Sequence, residues 1–198
     1  MCVRERDFRG FILYCSRIYQ NGISPAGVLA YELLNEPWPG DIFGSPHLLL
    51  PGRAAEENLA PFYEVIATAI RRVDPDALIA FAPVTYADFG PGFSKVPMGP
   101  AYANKSMLAY HFYSPPDILP GEQMAVMKQA AQNLSSGLFL TEFAITNLTD
   151  NAKSDTELTL NDADKYLQSW AGWGYKPFDP RTGQDNNLQI RKIKRKKP

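Results

Sequence analysis

A short apolar segment, residues 27–34, stops abruptly at Asn35-Glu36-Pro37. A run this short and nearly all apolar is typical of a strand with both faces covered, as in a parallel sheet. Proline has no backbone N–H and restricts the residue before it, so the strand must end there. The pattern predicts a buried parallel strand with an acidic side chain at its carboxyl end.

Later segments repeat this arrangement. Long loops rich in proline and glycine follow the predicted strands rather than the predicted helices. This alternation predicts a parallel α/β fold whose functional groups lie beyond the carboxyl ends of the strands. The further predicted strands are residues 78–82, 107–110, 138–140 and 170–175, and the predicted helices are residues 8–19, 58–73, 121–134 and 162–168.

Composition limits the possible classes of protein. The chain has 198 residues, is 45% hydrophobic and carries a formal net charge of -1. It is therefore ordinary globular material with no overall attraction to nucleic acid or to an anionic membrane. No glycine-rich phosphate-binding motif follows a predicted strand, which argues against a nucleotide-binding sheet. Only residues 189–198 are strongly basic, and we expect them to form a disordered, solvated tail.

The sequence gives conflicting indications of cellular location. Residues 4–7, close to Met1, are all charged, which does not fit a signal peptide, and no apolar run reaches the roughly 18 residues of a membrane span. Cysteines at only two positions cannot supply a disulfide framework or a cysteine-based zinc site. Three Asn-x-Ser/Thr motifs are a mild indication of secretion, and they begin at Asn104, Asn133 and Asn147.

Four of the five predicted strands end in polar or aromatic side chains. Two carboxylates on different strands can face each other across a substrate, as cleavage of a glycosidic bond requires. One must be protonated to assist the leaving oxygen, and the other must be ionised to attack the anomeric carbon. The residues concerned are Asn35, Glu36, His111, Tyr113, Glu142, Trp170 and Trp173.

The aromatic and polar neighbours would complete such a site. Tyr113 could donate a hydrogen bond to the attacking carboxylate, His111 could orient a carboxylate or a sugar hydroxyl, and tryptophan faces suit a sugar ring. Each residue alone is more often structural: a solvated rim glutamate, a satisfied histidine or a core tryptophan. Their joint occurrence at independent strand ends favours the functional interpretation.

Longer segments of the chain resemble the endoglycoceramidase branch of glycoside hydrolase family 5, a retaining (β/α)8-barrel family. Residues 33–37 and 140–143 resemble its acid/base and nucleophile strands. The resemblance extends in order from about residue 5 to about residue 188. The other matching segments are residues 35–41, 48–54, 58–63, 70–75, 81–85, 110–116 and 169–176.

The resemblance implies that residues 1–188 form a partial catalytic barrel, the C-terminal portion of a TIM barrel from about its fourth to its eighth strand. It also implies a role for each candidate residue, with Trp173 favoured over Trp170 as the sugar platform. The implied residues are the general acid/base Glu36, the nucleophile Glu142, the sugar contact Asn35, the supporting residues His111 and Tyr113, and the platform Trp173 or Trp170.

The implied reaction is hydrolysis of the β-linkage between the glycan and the ceramide of a glycosphingolipid, without metal or cofactor. We expect a secreted or lysosomal parent protein that meets a membrane surface or micelle only through its substrate, with no nucleic acid and no obligate protein partner. A catalytically inactive glycolipid-binding fragment is one alternative. Another family 5 activity, on a simple β-glucoside or a steryl glucoside, is the other.

Two positions depart from the family pattern. Ala82 stands where an acidic residue is usual, and Ala144 stands where glycine usually follows Glu-Phe. If position 144 requires a positive φ, the methyl group of Ala144 costs about 1 kcal/mol and shifts the neighbouring carboxylate.

Overall fold

The computed structural model describes residues 28–85, 90–113, 118–145 and 150–174. Within them lie five strands and three α-helices, and an α-helix connects each pair of successive strands except the second and third, which are connected through a 3-10 helix. The strands are β1 (Tyr31–Glu32), β2 (Ile79–Phe81), β3 (Ser106–Phe112), β4 (Gly137–Phe143) and β5 (Ser169–Trp170). The α-helices are α1 (Ala60–Val73), α2 (Pro120–Leu134) and α3 (Asp150–Tyr166). Shorter turns are 3-10 helices at Pro46–Leu49 and Pro100–Lys105 and a π-helical turn at Ala55–Leu59.

The strands form one sheet in the order β1-β2-β3-β4-β5. β1 pairs with β2, and β2 with β3, in parallel, so that Tyr31 lies opposite Ile79 and Ile79 opposite Ser106. Strand order equal to chain order, with helical crossovers, is the arrangement found in a (β/α)8 barrel. The predicted parallel α/β fold is confirmed.

Among the residues that the structure describes, no helix has the length and apolar content needed to cross a membrane.

Helix α1 forms because its apolar residues recur on one face and both ends are specified by the sequence. Pro61 lies in the first turn, where its missing N–H costs nothing. At the other end, the N–H of Asp74 donates to the carbonyl of Ile70. The prediction of a helix over residues 58–73 is therefore confirmed apart from its first residues, which belong to the π-helical turn.

The core of this region is centred on β2, whose three residues are all buried. Tyr63 of α1, Phe81 of β2 and Phe93 form an aromatic cluster, with the rings of Phe81 and Phe93 edge to face at 5.2 Å. Full burial of each such side chain contributes on the order of 1.5–3 kcal/mol. The hydroxyl of Tyr63 donates a 2.8 Å hydrogen bond to the carbonyl of Ala82, so α1 fixes the carboxyl end of β2.

The chain divides into two compact units. The first contains Glu36, α1 and the core around β2, and the second contains His111, Tyr113, Glu142 and both candidate tryptophans. The first unit comprises Met1–Tyr110 and Val126–Phe139, and the second comprises His111–Ala125 and Leu140–Pro198. The predicted helix over residues 8–19 and the predicted basic tail lie outside the described residues.

The predicted strands differ most from the structure at β1, β4 and β5. The strand predicted over residues 170–175 is only Ser169–Trp170, followed by an isolated bridge at Trp173. β1 has two residues rather than eight, and Glu32 is exposed, because β1 is the terminal strand of the order and packs against fewer neighbours. β4 continues to Phe143 rather than ending at residue 140, since its carbonyls at Leu140 and Phe143 still accept hydrogen bonds from residues 171 and 173. Glu142 therefore lies inside a strand.

Helix α3 is the largest error of the sequence-based assignment. It spans Asp150–Tyr166, whereas only residues 162–168 were predicted as helical. Most of its positions are polar, so no apolar period marks the first three turns. The helix instead buries two threonines, Thr156 and Thr159, against the rest of the unit.

Candidate active site

The carboxyl end of β3 presents two of the predicted site residues on the same side. Successive side chains of a strand alternate between faces, so His111 and Tyr113 point one way and Phe112 points the other. Phe112 is buried, and the rings of His111 and Tyr113 approach edge to face with centroids 6.4 Å apart.

Glu142 of β4 is the residue on which these side chains converge. The hydroxyl of Tyr113 donates a 2.8 Å hydrogen bond to Glu142 Oε2. His111 Nδ1 lies 3.5 Å from the same oxygen, and the side chains of His111 and Glu142 are only 12% and 18% exposed. One carboxylate oxygen is thus held by two neighbours, while Oε1 takes no part in either contact.

This arrangement suits a carboxylate that reacts in a fixed orientation. A hydrogen bond to a charged acceptor is about twice as strong as one between neutral groups, so the bond from Tyr113 restricts rotation of the carboxylate. Partial burial excludes much of the solvent that would otherwise screen its charge. The geometry can therefore present an oriented carboxylate oxygen to an electrophilic carbon.

The backbone beyond Glu142 is fixed from two directions. On one side, Trp173 N–H donates to Phe143 O at 2.8 Å, and Ile145 N–H donates to Trp173 O at 3.1 Å, which makes a parallel bridge at Ala144. On the other side, the hydroxyl of Thr156 in α3 donates a 3.0 Å hydrogen bond to Ala144 O. The predicted strain at Ala144 is wrong, because this residue is extended in the bridge and is not among the described non-glycine residues with positive φ.

The two candidate tryptophans differ in what they contact. Trp170 packs edge to face on Phe143 at 5.5 Å, and Phe143 points to the face of β4 opposite Glu142. Trp173 is 62% exposed and sits beside the bridge that follows Glu142. The geometry favours Trp173 over Trp170 as an aromatic surface near Glu142.

Glu36 belongs to the other unit, where it occupies an unusual backbone conformation. It is exposed and has a φ of 44°, in the left-handed region that side chains other than glycine seldom adopt. Such conformations persist only where the surrounding structure imposes them, and they are concentrated at functional sites. Asn35, the predicted sugar contact, is also exposed.

Backbone contacts on either side of Glu36 impose this conformation. Before it, Leu33 N–H donates to Ala80 O at 3.0 Å, which continues the pairing of β1 with β2. After it, Thr85 N–H donates to Pro37 O at 2.9 Å. The amide of Asn58 then holds Pro39 O at 2.7 Å. The glutamate is therefore displayed from a short segment anchored at both ends.

The loop after Glu36 borders an open apolar groove of about 200 Å³ in the same unit. Trp38, Leu49 and Leu50 line the groove while remaining more than half exposed. Val84, Thr85, Gly90 and Pro91 also line the groove. From the sequence alone, the apolar side chains of residues 43–50 fit an apolar wall and a plain structural loop equally well, because the prolines and glycines of this loop obscure any periodic pattern.

Sequence reasoning missed two positioning residues, Thr156 and Asn58. Thr156 lies in a polar stretch without helical periodicity, so nothing in the sequence placed it near Glu142. Asn58 was assigned only as the start of a helix, although an amide just ahead of a helix is a common donor to nearby backbone carbonyls.

The fold and the strand ends together define a class of protein: parallel α/β proteins that carry oriented carboxylates at the carboxyl ends of their strands. The sequence model of the cellulase family, glycosyl hydrolase family 5, matches residues 24–179. The chain belongs to glycosyl hydrolase family 5.

Within this family, the chain is similar to two endoglycoceramidases. The chain is 46% identical over 151 residues to an endoglycoceramidase of Cyanea nozakii and 40% identical over 151 residues to one of Hydra vulgaris. These matches cover 76% of this chain but 30% and 29% of the relatives, so the chain spans about a third of their length.

Solved structures show the same fold. Endo-glycoceramidase II from Rhodococcus sp., as a lactosyl-enzyme intermediate, superposes with a TM-score of 0.68 at 22% identity, covering 84% of this chain and 38% of that chain. The cellulose synthase subunit Z of Clostridioides difficile superposes with a TM-score of 0.63 at 16% identity. The chain thus has the parallel α/β fold of part of a larger barrel, as the sequence predicted.

Proposed function

We propose that the protein carrying this chain is a retaining glycosidase that cleaves the β-linkage between the glycan and the ceramide of a glycosphingolipid. The observation that carries the proposal is Oε2 of Glu142, which accepts a hydrogen bond from Tyr113 and lies close to His111. The family membership and the names of the two curated relatives support the same reaction.

In the proposed first step, Glu142 attacks the anomeric carbon and forms a glycosyl ester. The bond from that carbon to the aglycone oxygen breaks, and Glu36 supplies the proton that the oxygen takes up. In the second step, Glu36 removes a proton from water, whose oxygen attacks the same carbon and releases Glu142. Two inversions leave the configuration of the glycan unchanged, and the two carboxyl groups should lie roughly 5–5.5 Å apart in the complete protein.

Other residues are proposed to position the substrate. Asn35 would contact the sugar 2-hydroxyl, and the exposed indole of Trp173 would support the apolar face of the sugar ring. The apolar groove beside Trp38 and Leu48–Leu50 supports an apolar aglycone rather than a second sugar. Because such a lipid resides in membranes, we propose a secreted or lysosomal protein that meets the membrane through its substrate.

The test uses the complete protein, purified and supplied with a ganglioside in detergent micelles. Wild-type protein should release intact oligosaccharide with retained anomeric configuration, as followed by NMR of the fresh product. Glu142→Gln should reduce turnover by at least about 10⁴-fold, because the nucleophile is lost. Turnover by Glu36→Ala should be slow, and azide should partly restore it, because azide attacks the glycosyl ester without the help of a general base. Glu157→Gln, an exposed carboxylate of α3, is the matched control and should retain full activity.

The alternatives predict different results in this assay. A lectin-like protein would bind the glycan without releasing product. A steryl or simple glucosidase would hydrolyse its own substrate faster than the ganglioside. Hydrolysis with inverted configuration, or near wild-type turnover by both Glu142→Gln and Glu36→Ala, would show the two-carboxylate assignment to be wrong.

A further inference from the structure

We propose that Asn104 and Asn133 are acceptors for N-linked glycans, placed at the amino ends of β3 and β4. Their motifs, Asn104-Lys105-Ser106 and Asn133-Leu134-Ser135, take no part in the proposed reaction. The inference does not depend on the catalytic proposal. It depends on the chain entering a secretory compartment, where such motifs are modified.

Asn133 lies on the exposed side of the last turn of α2. Its neighbour Leu134 is buried in the core, so the two side chains lie on different faces of the helix. Asn133 Oδ1 accepts a 3.0 Å hydrogen bond from the exposed amide of Gln129, a contact that does not use the nitrogen on which a glycan is built. Ser135 follows with a φ of 53°, ends the helix and is exposed. Asn133 and Ser135, the two residues that define the motif, are therefore both available at the surface.

Asn104 lies on the exposed side of the turn Pro100–Lys105, which is firmly anchored. Arg71 Nη2 donates to Lys105 O at 2.6 Å, and Lys105 Nζ contacts Asp76 Oδ1 at 2.7 Å. The third residue of the motif, Ser106, is buried in the folded protein. The glycan is transferred to Asn104 while the chain is still being synthesised, before folding buries Ser106. The burial of Ser106 in the folded protein therefore does not prevent the reaction.

Both acceptors lie at the same edge of the sheet. Asn104 precedes the first residue of β3 by two positions, and Asn133 precedes the first residue of β4 by four. These strand starts are neighbours, since a Cβ on Gly137 would lie 3.5 Å from Met107 Cγ and 3.6 Å from Ser106 O. The predicted catalytic side chains instead lie at or just beyond the carboxyl ends of the strands. Glycans at the amino edge would therefore cover the surface that substrate binding does not need.

The modification itself is a group transfer from a lipid-linked oligosaccharide. The side-chain nitrogen of asparagine forms a bond to C1 of the first sugar and loses one proton. The bond from C1 to the diphosphate oxygen breaks, and the lipid diphosphate leaves with both electrons of that bond.

The test expresses the full 198-residue chain behind a cleavable secretion leader in cultured animal cells. An Asn147→Gln background removes the third motif, which lies outside the described residues. A glycosylation acceptor tag at the C-terminus reports that the chain has entered the compartment. Digestion with N-glycosidase converts each glycosylated asparagine to aspartate, and mass spectrometry of the peptides locates the change.

We expect complete or near-complete modification at Asn104 and Asn133. Ser135→Ala should abolish the glycan on Asn133 alone, and Asn104→Gln should abolish the other. Asn161→Gln changes an exposed asparagine outside any motif and should leave the pattern unchanged. A glycosylated tag on a chain that is unmodified at either asparagine would overturn the assignment for that residue.

Discussion

Tyr113 and Glu142, 29 positions apart in the chain, meet through a 2.8 Å hydrogen bond from the phenol to carboxylate Oε2. The two residues come from the ends of successive strands, β3 and β4, in one parallel sheet. Parallel strands bring their carboxyl ends to the same edge, so a bond between residues this distant requires no special loop. It is the contact on which the proposed nucleophile most depends.

Tyr113→Phe should lower kcat by about 10- to 100-fold in the complete protein. Hydrogen bonds to charged groups contribute about 1.5–3 kcal/mol, and each 1.36 kcal/mol corresponds to about tenfold in rate. Since the ring is kept, KM should change little. Steady-state kinetics on a glycosphingolipid substrate separates the two parameters.

Tyr102→Phe is the matched control for this change. It also removes one phenolic hydroxyl and keeps the ring, which lies against the guanidinium of Arg71 at 4.4 Å. Because Tyr102 belongs to the other unit and the turn before β3, its loss should leave kcat unchanged. An equal decrease in both variants would mean that the effect of Tyr113→Phe is not specific to Glu142.

Thr156→Val should reduce both stability and kcat. Thr156 is 4% exposed, and valine of the same shape cannot donate to Ala144 O, so the variant loses a partly buried hydrogen bond that contributes about 0.5–1.5 kcal/mol. Without the hydrogen bond to Ala144 O, the segment after Glu142 should be less rigid, and the carboxylate of Glu142 should be less well oriented. Thermal unfolding and kcat measure the two effects.

Thr159→Val distinguishes this role from a general effect of threonine in α3. Thr159 is equally buried, but its hydroxyl bonds within the helix, to Asp155 O at 2.8 Å. We expect Thr159→Val to leave kcat near the wild-type value and Thr156→Ser to restore it. Loss of kcat in Thr159→Val, or no recovery in Thr156→Ser, would contradict a positioning role for Thr156.

The alternation of apolar strands and helices was sufficient to predict the fold from the sequence. Five strands and a parallel sheet follow from it, because period and loop chemistry are local properties of the chain. Strand limits were less predictable, since Thr141 and Glu142 are polar and only pairing with residues 171–173 makes β4 continue through them. The polar helix α3 was largely missed for the same reason: tertiary contacts, not periodicity, determine its length.

The residues around Glu142 were predictable as a set, but their geometry was not. Strand ends with polar side chains mark His111, Tyr113 and Glu142 in the sequence. No sequence pattern reveals that the phenol reaches Oε2, or that Trp170 packs against Phe143 on the other face of β4. The left-handed conformation of Glu36 was equally invisible, because it results from bonds made by Leu33 and Pro37 to other segments.

Stability should fall above about pH 10, and part of this fall should come from Tyr63. Burial raises the pKa of Tyr63 and also that of Tyr110 above the ordinary value for tyrosine. A raised folded-state pKa means that the contribution to stability is complete below the unfolded pKa of about 10 and is lost as the pH rises towards the folded value.

Urea unfolding of the complete protein between about pH 8 and 11 would measure this dependence. Each buried tyrosine should contribute a slope of about -1.4 kcal/mol per pH unit once the unfolded phenol ionises. Tyr63→Phe should be less stable at neutral pH, because it lacks the bond to Ala82 O, yet should lose less stability on going to high pH. Identical slopes for the two proteins would contradict the burial argument.

Glu36→Gly should be more stable than Glu36→Ala by about 1 kcal/mol in the complete protein, although both remove the carboxylate. At a φ of 44°, alanine has a Cβ that glycine lacks, and the steric cost of that atom is about 1–2 kcal/mol. Leu167, exposed and with a φ of 53°, is the control outside the site, and the same pair of variants should differ there in the same direction. If the alanine and glycine variants are equally stable at position 36 but not at position 167, Glu36 does not occupy a strained conformation.

Gly92→Ala should destabilise the protein more than Gly90→Ala. Both glycines have positive φ, at 72° and 104°, so both variants incur backbone strain. At Gly92 the new Cβ would overlap the Cα of Gly52, where the two loops beside the apolar groove cross, whereas at Gly90 no atom of the described residues lies within 4 Å of it. The added overlap should cost a further 1–3 kcal/mol or so, as overpacking does in a core. Thermal unfolding of the complete protein measures the difference between the variants. Equal destabilisation by the two would mean that backbone strain alone, and not the crossing of Gly52 and Gly92, holds these loops in place.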